Sequence, residues 1–561
     1  MRIMRLVGVL AFCCFVSLFV LSCTKSNEPA ASSGGASLFD AEVLRKLPDN
    51  AVAFLAFDTQ GAPFMRFKQS AWGKAANTSF SQAISKLGSD AASADVEPFV
   101  EALSVTNFVS LDPSKPDTVR QGVLFVSAAK SAEQKLDWGI VLLASRGTDL
   151  TAKLPELEAI FKRKGMNVNP ENVGSTKGFS LLPVGAKKPT YVLATSEQLA
   201  IAQSKELLSS MFSGTALGGF DKLRITPQFI KATTSLPSAG QFFVGYADVV
   251  PFGKIFEQDI KNVAASQGAV SDADQVKMDK SPVEAIAFSR SMTENLSDAL
   301  VVAINAKDEA QKKIFAAIEA PQGGKVSDKV PADSAIFIAL DGRLLSTIKN
   351  TVVEDLLAGQ PLPPMIKLVD SVKAFGIAVR NASAASPFPE LLLTLQSDNS
   401  AEIKAVIKES LTMALASNPA MSGPSWNAKD VNGTSLDYVT TPFGVGAYIG
   451  TLKDTLLIGS SEQIVADSVS AANGSTASLG GSTPSLGRAQ GLGVAYADFS
   501  RLVAMIESVQ GSLAMFTGGR PVVDPAQTAS MRELGTVVAS AKYENNLLKF
   551  ESSYLAPAGA R

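Results

Sequence analysis

Histidine is missing from all 561 residues, and the only three cysteines, Cys13, Cys14 and Cys23, fall at the extreme N-terminus. The body of the chain therefore has neither imidazole nor thiol. Ser-His-Asp and Cys-His catalysis, His- or Cys-ligated zinc, haem and iron–sulfur sites, and a disulfide framework all need those groups. No cofactor, no metal site and no enzymatic activity are expected. Charge is scarce too: 51 Lys and Arg against 53 Asp and Glu leave a net charge of −2. Without a basic excess, nucleic acid is not an expected partner. Tryptophan and tyrosine are few, 3 and 7 against 30 phenylalanines, which favours burial over stacking on a sugar at a wet surface. What is abundant is apolar. Hydrophobic residues make up 46% of the chain, enough for several packed domains of roughly 150 residues each.

Arg2 and Arg5 precede Leu6 to Leu21, an uncharged stretch of export-signal length, slightly short for a spanning helix. It ends in Phe19-Val20-Leu21-Ser22-Cys23, which resembles a bacterial lipobox. That resemblance to bacterial lipoproteins implies a signal peptide over residues 1–22, removed to leave Cys23 as the lipidation site carrying palmitate-type acyl chains. Thr24 in the next position resembles lipoproteins sorted to the outer membrane. Residues 23–37 are small and polar, with the composition of a flexible tether. The expected setting is the cell envelope, with the membrane face, periplasmic or surface, left open.

The body carries an internal repeat. Leu47-Pro48-Asp49-Asn50-Ala51-Val52-Ala53-Phe54-Leu55-Ala56-Phe57-Asp58 reads against Val330-Pro331-Ala332-Asp333-Ser334-Ala335-Ile336-Phe337-Ile338-Ala339-Leu340-Asp341. Further on, Thr195-Ser196-Glu197-Gln198 reads against Ser460-Ser461-Glu462-Gln463, and Tyr246-Ala247-Asp248 against Tyr496-Ala497-Asp498. Two tandem units are expected, at 38–325 and 326–557. Strand-length apolar runs such as Trp138 to Ala144 and Leu391 to Leu395 alternate with helical spacings at Leu154, Leu157, Ile160, Phe161 and at Ile403, Val406, Ile407, Leu411, Ala414. Each unit closes on a hairpin, turning at Glu294-Asn295 and at Asn545-Asn546. The fold class is α+β, each unit a largely antiparallel sheet with helices covering one face. Asn473 to Gly487, rich in Gly and Ser, reads as a surface loop, as do Gln360 to Pro364, Gln267 to Ser281 and Arg520 to Thr528. The "LPADT"-type opening, the Ser-Glu-Gln segment and the Tyr-Ala-Asp strand end resemble a family of exported bacterial proteins of unknown function. Asp49-Asn50 departs from its preferred Ala-Asp. That family implies an architecture and no catalytic residue.

The repeated acids Asp58, Asp248, Asp341 and Asp498 each close an apolar strand ahead of a helical pattern, where a carboxylate accepts from the free amides of the first turn. They read as N-caps. Thr195-x-x-Gln198 and Ser460-x-x-Gln463 read as capping boxes. Ser346-x-x-Lys349 and Ser127-x-x-Lys130 have the spacing of a serine activated by lysine. Neither has a counterpart in the other unit, and no Lys-Thr-Gly partner follows. Gly444-x-Gly446 lies in a strand pattern, Phe443 to Ile449, and Asp430-x-Asn432-Gly433 fits a hairpin turn better than a calcium loop. The expected function is a lipid-anchored, non-catalytic binding or scaffolding module with a protein partner in the envelope. Carriage of a lipid or other apolar ligand is the first alternative, and a histidine-free Ser/Lys hydrolase the second.

Overall fold

Apolar runs separated by turn residues become antiparallel strands, and the 3.6-periodic segments between them become helices, an α+β chain as expected. The computed structural model describes residues 37–76, 117–128, 136–182, 189–213, 218–252, 281–319, 326–349, 368–381, 388–416, 425–440, 446–483, 486, 491–517 and 525–555. Cys23, the signal stretch and residues 24–36 of the tether lie outside them, as do Lys130, Gly444 and the expected loop at 360–364. The chain divides into two compact units, Met1–Lys307 and Asp308–Arg561. This division falls before the expected one at 325/326.

The strands of the first unit are β1 (Ala51–Asp58), β2 (Val119–Ala128), β3 (Leu136–Ala144), β4 (Asn167–Val173), β5 (Thr176–Leu182), β6 (Thr190–Ala194), β7 (Gln198–Ala202), β8 (Gln241–Asp248), β9 (Val283–Met292) and β10 (Leu296–Ile304). Among them lie α1 (Ala62–Gln69), α2 (Leu154–Arg163), α3 (Lys205–Ser213), α4 (Gly219–Arg224) and α5 (Pro227–Thr233). Every pairing is antiparallel, in the order β4-β5-β6-β7-β3-β2-β1-β8-β9-β10. Val52 to Ala56 of β1 are buried on successive positions, so both faces of the strand are covered there, and every residue before its closing aspartate is apolar. Phe54 at its centre lies opposite Tyr246 of β8 and packs edge-on against Phe220 of α4.

The second unit holds α6 (Glu309–Glu319), β11 (Ile336–Asp341), α7 (Gly342–Ile348), β12 (Val372–Arg380), β13 (Glu390–Ser397), α8 (Ser400–Ala416), β14 (Asn427–Val431), β15 (Thr434–Thr440), β16 (Gly446–Leu452), β17 (Thr455–Gly459), α9 (Glu462–Ala472), α10 (Leu479–Ser482), β18 (Gly493–Asp498), α11 (Phe499–Thr517), α12 (Pro525–Arg532), β19 (Thr536–Glu544) and β20 (Leu547–Leu555). Its antiparallel order is β14-β15-β16-β17-β13-β12-β11-β18-β19-β20. Phe337 of β11 lies opposite Tyr496 of β18. The hairpin turns fall where the asparagines set them: Asn432-Gly433 and Asn545-Asn546 all adopt positive φ, the backbone a two-residue turn between twisted strands requires.

Helices cover both faces of this second sheet, which corrects the expectation of one. Ile464, Val465 and Val469 of α9 pack with Phe337, Ala374, Leu392 and Leu457. On the opposite face Ile403 and Ile407 of α8 pack with Phe375, Leu395 and Leu456. The strands favour this: Ala374 to Val379 and Leu391 to Leu393 are free of polar side chains on successive positions, so both faces are apolar there, one fully buried and the other covered only in part. Residues 473–487 are not wholly a surface loop either. Leu479 and Leu486 are buried in the α9 core, and Leu479 N donates to Val330 O at 2.8 Å.

Candidate functional site

The four strand-end aspartates do structural duty. Asp341 caps α7, accepting from Arg343 N at 2.9 Å, and Asp498 ahead of α11 accepts from Arg501 N at 3.1 Å. Asp58 sits one turn too early to cap a helix. It accepts from Gln60 N and Gly61 N at 2.9 and 2.8 Å, and Gly61 is the N-cap of α1. Asp248 closes β8; burial pushes its carboxyl pKa up, against a backbone hydrogen bond at Val250.

The shared Ser-Glu-Gln does not mark a shared helix start. Thr195 to Gln198 form the turn between β6 and β7, where Thr195 N donates to Gln198 O at 2.7 Å and Gln198 N to Thr195 Oγ1 at 3.1 Å. In the second unit the cap is Ser461, not Ser460: its Oγ accepts from Ile464 N at 3.2 Å. The residue of the first unit that does what Ser461 does is Ser204. Ser204 Oγ accepts from Leu207 N at 3.2 Å and donates to Asp137 Oδ2 at 2.8 Å. Ser461 Oγ donates to Glu390 Oε1 at 2.5 Å. Both acids are buried near the start of a sheet strand, Asp137 opposite Ser127 and Glu390 opposite Arg380. Arg380 neutralises Glu390 and reaches Asp467 at 2.6 Å. Asp137 has the hydroxyl of Ser127 nearby instead, its Oδ1 lacks a partner among the described residues, and burial raises its pKa against the Ser204 hydrogen bond. These two buried acids went unread in the sequence because their counterparts differ in type and sit far from the serines they serve.

Ser346 and Lys349 meet at Asp370 of the 3-10 turn Val369–Ser371. Ser346 Oγ donates to Asp370 Oδ1 at 2.5 Å, and Lys349 Nζ pairs with Asp370 Oδ2. Burial pushes the Asp370 pKa up, but the Lys349 and Ser346 hydrogen bonds outweigh it and the carboxyl lies below its ordinary range. A serine-activating lysine must be neutral and must receive the serine proton. Here the ammonium faces a carboxylate and that same carboxylate takes the hydroxyl proton, so the cluster is an ion-paired brace. Beside it lies a cavity of about 410 Å³ lined by Arg343, Ser346, Thr347 and Asp370 together with Ala316, Ala317, Gly342 and Val372.

A second feature is apolar. On the face of the second sheet opposite Phe337, three adjacent strands form a grid: Ile336, Val379 and Leu391 in one row, Ile338, Ile377 and Leu393 in the next. Ile338 is 46% exposed and Leu391 40%, and the other four are half-buried. β18 extends the rows with Ala495 and Ala497. None of these side chains carries a charge or a hydrogen-bonding group. Among the described residues no group of three His, Cys, Asp or Glu side chains could hold a metal ion, and no helix is long and apolar enough to cross a membrane.

No family model, curated protein or solved structure matches this chain.

Proposed function

We propose that this is a lipid-anchored envelope protein, tethered through Cys23 to the outer membrane, whose body binds a protein partner and catalyses nothing. The observation that carries the binding role is the open grid on β11, β12 and β13. Isolated exposed apolar side chains are ordinary, but contiguous ones in register on interior strands mark contact surfaces. Strands β11 to β13 are already hydrogen-bonded on both sides, so a partner meets side chains there and not backbone. The body is proposed to be two copies of one unit, supported by the same strand order in each and by the Phe54–Tyr246 and Phe337–Tyr496 pairs at corresponding places. Carriage of an apolar ligand is the second reading, favoured by the lack of any polar group in the grid to orient a protein partner.

A photo-crosslinking amino acid at position 338, with position 177 on exposed Lys177 as control, tests both in intact cells. A protein adduct at 338 and none at 177 is expected. A lipid adduct at 338 selects the carrier reading, and equal labelling at both positions rejects the grid as a binding surface.

A further inference from the structure

We infer that the cavity beside α7 binds a small organic acid bearing one carboxylate and a hydrogen-bond donor. The cavity of about 410 Å³ falls within the range of small-molecule sites. Its one guanidinium, Arg343, has no ion-pair or hydrogen-bond partner for its side chain among the described residues. Every other charge on the walls is already matched. Asp370 takes Lys349 and Ser346. A guanidinium fork grips a carboxylate through two parallel hydrogen bonds. Gly342 holds it in place: a Cβ there would lie 1.7 Å from Val372 O, so the start of α7 is pressed onto β12 and Arg343 cannot drift from the wall.

The remaining wall decides the class of acid. Asp370 keeps its negative charge on the same cavity, which opposes a dianion such as a phosphate monoester. Ser346 spends its proton on Asp370, leaving its oxygen as an acceptor that calls for a donor on the ligand. Ala316, Ala317 and Val372 leave room for a short aliphatic body. A short hydroxy acid meets all three requirements.

Calorimetric titration of the whole mature protein with 3-hydroxybutyrate, butyrate and inorganic phosphate tests this. Saturable binding of 3-hydroxybutyrate is expected, weaker for butyrate and absent for phosphate. Arg343→Gln should weaken it about tenfold or more, the loss of one charge-assisted pair, and Arg343→Lys should recover only part. Arg343 is half-exposed, so unchanged melting certifies both variants as folded. Absence of saturation in the wild type, equal affinity in Arg343→Gln, or phosphate binding as tightly as the hydroxy acid overturns the proposal. Failure here leaves the crosslink at position 338 unaffected, since grid and cavity share no residue.

Discussion

Half-buried Asp437 and buried Asp137 have carboxyl pKa values shifted in opposite directions. Asp437 faces Lys408 at 2.8 Å and Lys404 at 3.1 Å, and although burial pushes its pKa up, the two lysines bring it below the ordinary carboxylate value. A depressed folded pKa contributes stability that is present above the unfolded value of about 3.9 and is lost as pH falls through the folded one. Denaturation of the wild type and Asp437→Asn at pH 7 and pH 3 should therefore show a gap at pH 7 that narrows at pH 3. Asp137 runs the other way. Its folded pKa is raised by burial, so the ionised form costs stability, and the protein gains as pH falls through that value. Asp137→Asn, which keeps an acceptor for Ser204, should raise the denaturation midpoint at pH 7 and make no difference once the aspartate is protonated. A lower midpoint at pH 7 would mean that the charge is compensated. For the caps, Asp341→Ala should cost about 0.5 to 2 kcal/mol. That is a few degrees of melting temperature in a unit of this size, and Asp341→Asn should restore most of it.

At the scale of elements, helix spacing and hairpin asparagines were legible and capping was only half so. Leu154 to Phe161 and Ile403 to Leu411 fall inside α2 and α8, and Asn545-Asn546 turns β19 into β20. Local chemistry decides those. Thr195-x-x-Gln198 was misread because a hydroxyl that accepts an amide three residues on closes a hairpin turn as well as it starts a helix. The segment 473–487 was misread because its Gly and Ser conceal two leucines whose burial depends on a core assembled from residues 326 to 538. Leu479→Ala should cost about 2 to 5 kcal/mol, as for other large-to-small changes at fully buried sites, whereas Ser482→Ala nearby should be close to neutral. Equal effects of the two would show the segment to be a surface loop after all.

For the whole molecule, Cys23→Ala should yield an unprocessed precursor that takes up no labelled palmitate; labelling equal to wild type would remove the anchor. The proposed duplication predicts that Ser204 overlies Ser461 and Asp137 overlies Glu390 in an experimentally determined structure, with Thr195 overlying neither Ser460 nor Ser461. The sheet order behind that prediction was invisible in the sequence, since β3 pairs with β7 and β1 with β8 across long stretches of chain whose joining is a tertiary choice. The apolar grid was equally hidden, because the strands bearing it look the same as strands covered on both faces.

The point where the tether meets the first unit has a mechanical meaning. Ser37 Oγ and Leu38 N both donate to Oε1 of Gln241, each at 3.0 Å, and Leu38 and Phe39 are buried beside them. Under the proposed anchoring through a lipid at Cys23, drag on the body reaches this clasp first. β8 behind it is sewn into the sheet by ladders to β1 and β9. The clasp, and the packing of Val43, Leu44 and Leu47 behind it, are then expected to yield before the sheet ladders do, and paying out residues 37 to 50 adds at most roughly 45 Å of contour before β1 is disturbed. Stretched singly between its ends, the protein should show that short, low-force step ahead of any rupture of a sheet.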